Sequence, residues 1–196
     1  MDVVATSLRA ADVGAIAIEC ELAEAEAAAA AAAQRAPSAV LAEQMLAYLA
    51  LNDLASAKHL WQRNEAAQAQ PELLAAWRVG QALWSRDAAA TYAALEACAA
   101  GAGRGAALAE AAREGHRARV AAVLGRAYES IRAADAAAHL GLSEEDAKRH
   151  VAQLGWAVEE SGLLVPCALK KQVPAGAAGG TGQLTRLTEY VREQAA

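Results

Sequence analysis

The run from Tyr48 to Trp61 constrains this fold more than any other stretch. Tyr48-Leu-Ala-Leu reads as the end of one helix, Asn52-Asp53 as a tight corner, and Leu54 through Trp61 as the start of the next helix. Together they predict a helical hairpin. The pattern recurs downstream, where Leu73, Trp77, Gly80 and Trp84 form another apolar stripe and Arg86-Asp87 another corner. A chain of stacked helical hairpins is suited to holding partners rather than to performing chemistry.

The same spacing extends along the chain. Residues 1–34 read as helical, with Asp2 and Asp12 as N-caps and a low-complexity Ala run at 27–33. Pro37-Ser38 restarts the chain, and Leu41, Met45, Tyr48 and Leu49 share one helix face. Residues 63–70 are polar and predict a loop, and Pro71 suits the first turn of a helix. Asp87 opens the following helix, which turns Tyr92, Leu95 and Cys98 inward. Gly101 to Gly105 breaks the chain, and a long helix then runs from about Ala106 to Ile131 with Val120, Leu124, Ala127 and Ile131 on one side. Trp61, Trp77 and Trp84 are expected to pack between hairpins.

Past Arg132 the pattern changes. A short helix Ala133–Leu140 stops at Gly141, and Ser143 with Asp146 makes a capping-box-like start for a helix reaching Leu154. Trp156 to Val158, a turn over Glu159–Gly162, and Leu163 to Val165 then predict a small β-hairpin. Helix, turn, helix and hairpin make the outline of a winged helix. Residues 167–182, with Pro174 and glycines 176, 179, 180 and 182, read as a flexible linker. From Gln183 to Gln194 helical spacing returns, with Leu184, Leu187 and Val191 on one side and Tyr190 adjoining. So short a helix is marginal in water unless it folds back or joins a bundle with other chains.

Composition bounds the function. The 196 residues carry a net charge of −5 with no polybasic block, which disfavours capture of nucleic acid or anionic membrane. Hydrophobic residues reach 56%, but much of that is Ala, and there is no Phe. Helices form readily from such a chain, but the core it builds is thin. Cys20, Cys98 and Cys167 are widely spaced, which fits free thiols in a reducing compartment. The N-terminus carries no secretory signal pattern, and no stretch is apolar and long enough to span a bilayer. A soluble protein is expected.

No reactive constellation assembles. Gly101–Gly105 follows no strand and precedes no G-K-[ST], so it reads as a hinge and not as a phosphate loop. His59, His116, His139 and His150 lack metal-binding spacing, and none is placed to activate a cysteine. No cofactor, metal, catalytic residue or small-molecule substrate is expected. A nucleic-acid-reading winged helix is a third possibility, but its second helix opens on Ser143-Glu144-Glu145-Asp146, and those carboxylates repel phosphate. The alternative is pairing of the hairpin edge with a neighbour's hairpin.

Helical repeats capped by a winged helix resemble the PCI domain. Met45 to Asp53, Ala57 to Arg63, Ala76 to Asp87, Ala136 to Trp156 and Gln183 to Val191 are similar to the subunit-8 family of the COP-nine signalosome, in its plant and green-algal form. The likeness covers about residues 40–165 and 183–192 and leaves residues 1–36 unmatched. It implies a mainly α chain of N-terminal helices (1–36), helical-hairpin repeats (37–131), a winged helix (132–166), a linker (167–182) and a C-terminal bundle helix (183–196). It further implies a non-catalytic, cytoplasmic and nuclear subunit of the complex that removes a ubiquitin-like modifier from cullins, regulates cullin-RING ubiquitin ligases and, in plants, acts in light-controlled development. Other PCI-domain subunits would be its partners, held through Trp156, Val158, Leu163 and Val165 of the hairpin and Leu184, Leu187, Tyr190 and Val191 of the tail. Small PCI subunits of the proteasome lid and of translation initiation factor three share the architecture. Ala89, Ala90 and Ala137 stand where that family has larger apolar residues, which predicts a looser core.

Overall fold

A computed structural model of the chain describes residues 8–29, 38–159 and 162–166. Six helices come first: α1 (Ala10–Ala29), α2 (Ser38–Ala50), α3 (Leu54–Arg63), α4 (Pro71–Ser85), α5 (Ala88–Ala99) and α6 (Arg104–Ala127). Strand β1 (Ile131–Arg132), helices α7 (Ala133–Leu140) and α8 (Glu144–Gln153), and strands β2 (Ala157–Val158) and β3 (Leu163–Val165) follow. The expected N-cap Asp2, Cys167, the linker and the tail with Leu184, Leu187, Tyr190 and Val191 lie outside the described residues.

The corners are built as the hairpin reading requires. Asn52 takes φ 63°, Asp53 donates to the Tyr48 carbonyl at 2.8 Å and Asn52 to the Leu49 carbonyl at 3.0 Å, closing α2 in a Schellman motif. Asp53 then caps α3, its carboxylate accepting from the Ser56 N–H at 3.0 Å. The α4–α5 corner repeats this: Arg86 sits at φ 57°, Asp87 donates to Ala82 at 3.1 Å, and Asp87 caps α5 through the Ala90 N–H at 3.0 Å. One residue ends a helix, and the next begins another, so consecutive helices must fold back on each other. Gly141 closes α7 at φ 61°, and a Cβ there would lie 2.2 Å from Cδ2 of Tyr92. Both backbone and space demand glycine.

Two apolar clusters result. Leu41, Met45 and Leu49 of α2 meet Leu60, Leu73, Val79, Leu95 and Leu108 in the first. The second gathers Leu124, Ile131, Leu140, Val151, Trp156 and Leu164. Helix α6 serves both: Leu108, Ala109 and Ala112 enter the first, Ala121 and Leu124 the second. Each buried Leu contributes on the order of 2 kcal/mol, whereas each Ala contributes much less but lets helix backbones approach closely. Ala137 is buried as expected, but Ala89 and Ala90 face solvent, so two of the three small residues do not thin the core.

Four local expectations need correction. Asp12 is not the cap of α1; it sits in the first turn and accepts from the Arg9 N–H at 3.2 Å, so Arg9 holds the cap position. Helix α6 stops at Ala127, because Tyr128 turns extended (φ −121°, ψ 139°) and Ile131 pairs with Leu164 in β1. A two-residue strand has no period to read, and Ile131 happens to fall four residues beyond Ala127. Residues 65–67 form a single 3-10 turn rather than open loop. Trp84 is 48% exposed with Lys58 Nζ 5.0 Å over its ring, while the half-buried Trp61 and Trp77 stack 4.8 Å apart at the flank. Trp61 and Trp77 thus pack against the first cluster between α3 and α4 as expected, and only Trp84 departs to the surface.

Helix α1, unmatched in the family pattern, is firmly docked. Val13, Ala17 and Cys20 are buried. Glu24 accepts from Arg63 at 2.6 and 2.8 Å and from Asn64 at 2.9 Å, while Arg104 bridges Glu19 at 2.9 Å and Glu43 at 2.7 Å.

Candidate assembly interface

Three strands form one antiparallel sheet in the order β1-β3-β2. Ile131 pairs with Leu164 and Arg132 with Leu163 on one side; Ala157 pairs with Val165 and Val158 with Leu164 on the other. Strand β3 is therefore central, and the edges are β1 and β2. With α6 to α8, the run has the order helix–strand–helix–helix–strand–strand.

The predicted contact residues separate by this topology. Trp156 is 6% exposed; its indole fits against Gly125, where a Cβ would come within 3.3 Å of the ring. Its side chain packs in the second cluster, and its N–H donates to the Val151 carbonyl at 3.1 Å. Leu163 and Val165 are half-buried on the central strand, flanking the fully buried Leu164. Val158 is 44% exposed on the outer strand. Glu159 donates to the Leu163 carbonyl at 2.9 Å. Antiparallel ladders alternate, so Val158, one residue earlier, directs its N–H and C=O away from β3 toward the open side. An added strand would pair there, with Val158 contributing its apolar side chain.

The second helix of this unit offers little to phosphate. Three acidic side chains occupy the first turn of α8, Lys148 is paired with Glu145 at 2.9 Å, and Arg149 is paired with Asp146. A groove-reading helix needs its cations free.

Nor do the thiols and imidazoles converge. Burial pushes the Cys20 and Cys98 thiols up, which favours the unreactive thiol form. Burial, and then the charge of Arg119, push His116 down, and its ring lies 5.5 Å from Tyr92. Among the described residues no cluster of His, Cys, Asp and Glu could hold a metal, and no helix is long and apolar enough to cross a membrane.

Reading the residues alone missed two surfaces. Ile18 and Leu22, 59% and 60% exposed, lie four apart on the outer side of α1; their spacing was visible but was submerged in the surrounding alanines. The other is a groove beside α6, assembled from four separate stretches of chain and so without any local signal.

Comparison with known proteins bears on which assembly this is. The model described as the CSN8/PSMD8/EIF3K family matches residues 36–176. COP9 signalosome complex subunit 8 of Xenopus tropicalis is 36% identical over 151 residues, covering 76% of this chain and 78% of that protein. The Danio rerio protein of the same name is 34% identical over 154 residues, 78% and 80% of the two chains. Its Arabidopsis thaliana counterpart is 34% identical over 157 residues, 75% of each. Plant and vertebrate relatives stand at similar identity.

Proposed function

We infer from the chain's membership of the CSN8/PSMD8/EIF3K family, to which its residues 36–176 belong, that it is a structural subunit of the COP9 signalosome. The family name spans three assemblies. The observation that carries the choice among them is that relatives named as signalosome subunit 8 match over about three quarters of both chains. In this reading the chain does no chemistry itself. It holds other PCI-domain subunits of a complex that deneddylates cullins and so regulates cullin-RING ubiquitin ligases, in the cytoplasm and nucleus.

Two surfaces would do the holding. The outer edge of β2 offers Val158, with Leu163 and Val165 on the adjoining face; the tail offers Leu184, Leu187, Tyr190 and Val191 to a shared helical bundle. What supports the edge is its geometry: a short, exposed strand whose outward groups at Val158 have no ladder on that side among the described residues.

Co-purification from cells tests both. Deleting residues 182–196 should weaken incorporation into the complex while the circular dichroism of the purified chain stays helical. Val158→Pro removes the outward donor and leaves the ladder to β3 in place, so it should lower incorporation with little loss of stability. Undiminished recovery of partner subunits with both variants would sink this reading. Mass spectrometry that returned proteasome-lid or initiation-factor subunits would move the chain to one of those assemblies.

A further inference from the structure

Beside α6, where the α2–α3 and α4–α5 corners meet α7, a groove of about 600 Å³ opens at the surface. No residue of the sheet lines it, so it is separate from the β2 edge. Its floor is apolar, formed by Leu54, Leu83, Val120 and Leu124. Val123, 54% exposed, and Tyr128, 48% exposed, carry that floor outward. The titratable groups along it are Arg86, Arg119, His116 and His139 beside Tyr128, and among the described residues no carboxylate lines it. This is a chain of net charge −5. The acids next in sequence, Asp53 and Asp87, are committed to capping α3 and α5.

Arg119 is the most telling of these groups. One of its terminal nitrogens donates to the Ala50 carbonyl at 3.3 Å; the other, Nη2, is buried with no acceptor among the described residues. Burial pulls its pKa down, and no carboxylate is among the groups acting on it. A guanidinium half withdrawn from water with no carboxylate beside it among the described residues is costly, and a carboxylate brought against the part of Arg119 that lines the groove would offset that cost. An apolar floor with Arg86 and Arg119 on its wall defines the complement: a segment apolar on one side and acidic on the other.

We propose that this groove binds an amphipathic, acidic segment of another polypeptide, with apolar side chains on Val120, Val123 and Leu124 and a carboxylate on Arg119. The chain's own residues 183–196 are a poorer complement, because Arg186 and Arg192 cancel Glu189 and Glu193 there. The proposal stands on the groove and needs neither the β2 edge nor the choice of assembly.

The test places the photo-crosslinker p-benzoylphenylalanine at Tyr128 in the full chain, expressed in cells and purified with whatever it holds. Glu72, exposed in the first turn of α4, carries the same crosslinker as a control. The mapped crosslink from position 128 should fall in an acidic, amphipathic segment of another protein. Its yield should drop at least about tenfold with Arg119→Gln, the scale of losing one partner of a desolvated charge pair. Val123→Glu, on an exposed position that tolerates charge, should lower the yield as well, and Val123→Lys should keep or raise it. Crosslinks to residues 183–196, to a second copy of the chain or to a segment without acidic residues would overturn the proposal. So would a yield no higher than at position 72, or one indifferent to Arg119→Gln and Val123→Glu.

Discussion

At the scale of single residues, Glu24 is a carboxylate strongly altered by folding. Hydrogen bonds from Arg63 first, and from Asn64 and Gln44, hold its carboxyl well below its ordinary 4.5, at about 2, against the opposing effect of burial. Because the folded value is lower than the unfolded one, the unfolded chain binds more protons between them. The stabilisation is whole above about pH 4.5 and disappears as pH falls toward 2. With Arg63 partly in solvent, its size is about 1–2 kcal/mol. Glu24→Gln should therefore lower the urea midpoint at pH 7, and wild type and variant should converge near pH 2. A gap that persists in acid would assign the loss to packing. No local pattern announced this pair, because its partners are 39 residues apart.

At the scale of elements, the two corners differ in one residue that the chain tolerates rather than prefers. Both Asn52 and Arg86 occupy the left-handed region, but Asn visits it readily, and Arg does so against a steric cost. Arg86→Gly should stabilise the chain by about 0.5–1 kcal/mol, read as a higher denaturant midpoint with unchanged slope. If Arg86 contributes more to the fold through its side chain than its backbone costs, the midpoint will fall instead. The element-level reading succeeded at these corners, because an αL residue followed at once by an Asp cap is a local arrangement. It failed at the end of α6, where pairing of Ile131 with Leu164 overrides the helical spacing and depends on a strand 33 residues away.

Over the whole molecule, α6 is the member that joins the two clusters. Its first half packs with α2 and α5 side chains and its second with α7 and the sheet. Leu140 is fully buried in the second cluster, and Leu140→Ala should cost about 2–5 kcal/mol. If α6 couples the halves, amides of α2 at the first cluster and of α7 at the second will lose hydrogen-exchange protection at the same, lower denaturant concentration. Two separated transitions would show that the clusters unfold independently. The docking of α1 belongs to this scale too: its core contacts are Val13, Ala17 and Cys20, and ion pairs to Arg63 and Arg104 hold it against α3 and α6.

The sequence by itself determined what short range controls. The caps at Asp53 and Asp87, the corners, the proline opening α4 and the apolar faces of α2, α4 and α5 each depend on residues within about one or two helical turns of one another. That order of elements was enough to place the chain among the PCI-like subunits. Only the tertiary structure decided which strand of the described sheet lies at its edge, that the indole of Trp156 is spent on the core, that Trp84 faces water, and that Arg119 lines a groove with no carboxylate among the described residues. Each of these depends on which distant segments come together around a side chain, and exposure and charge balance are sums over all of those neighbours.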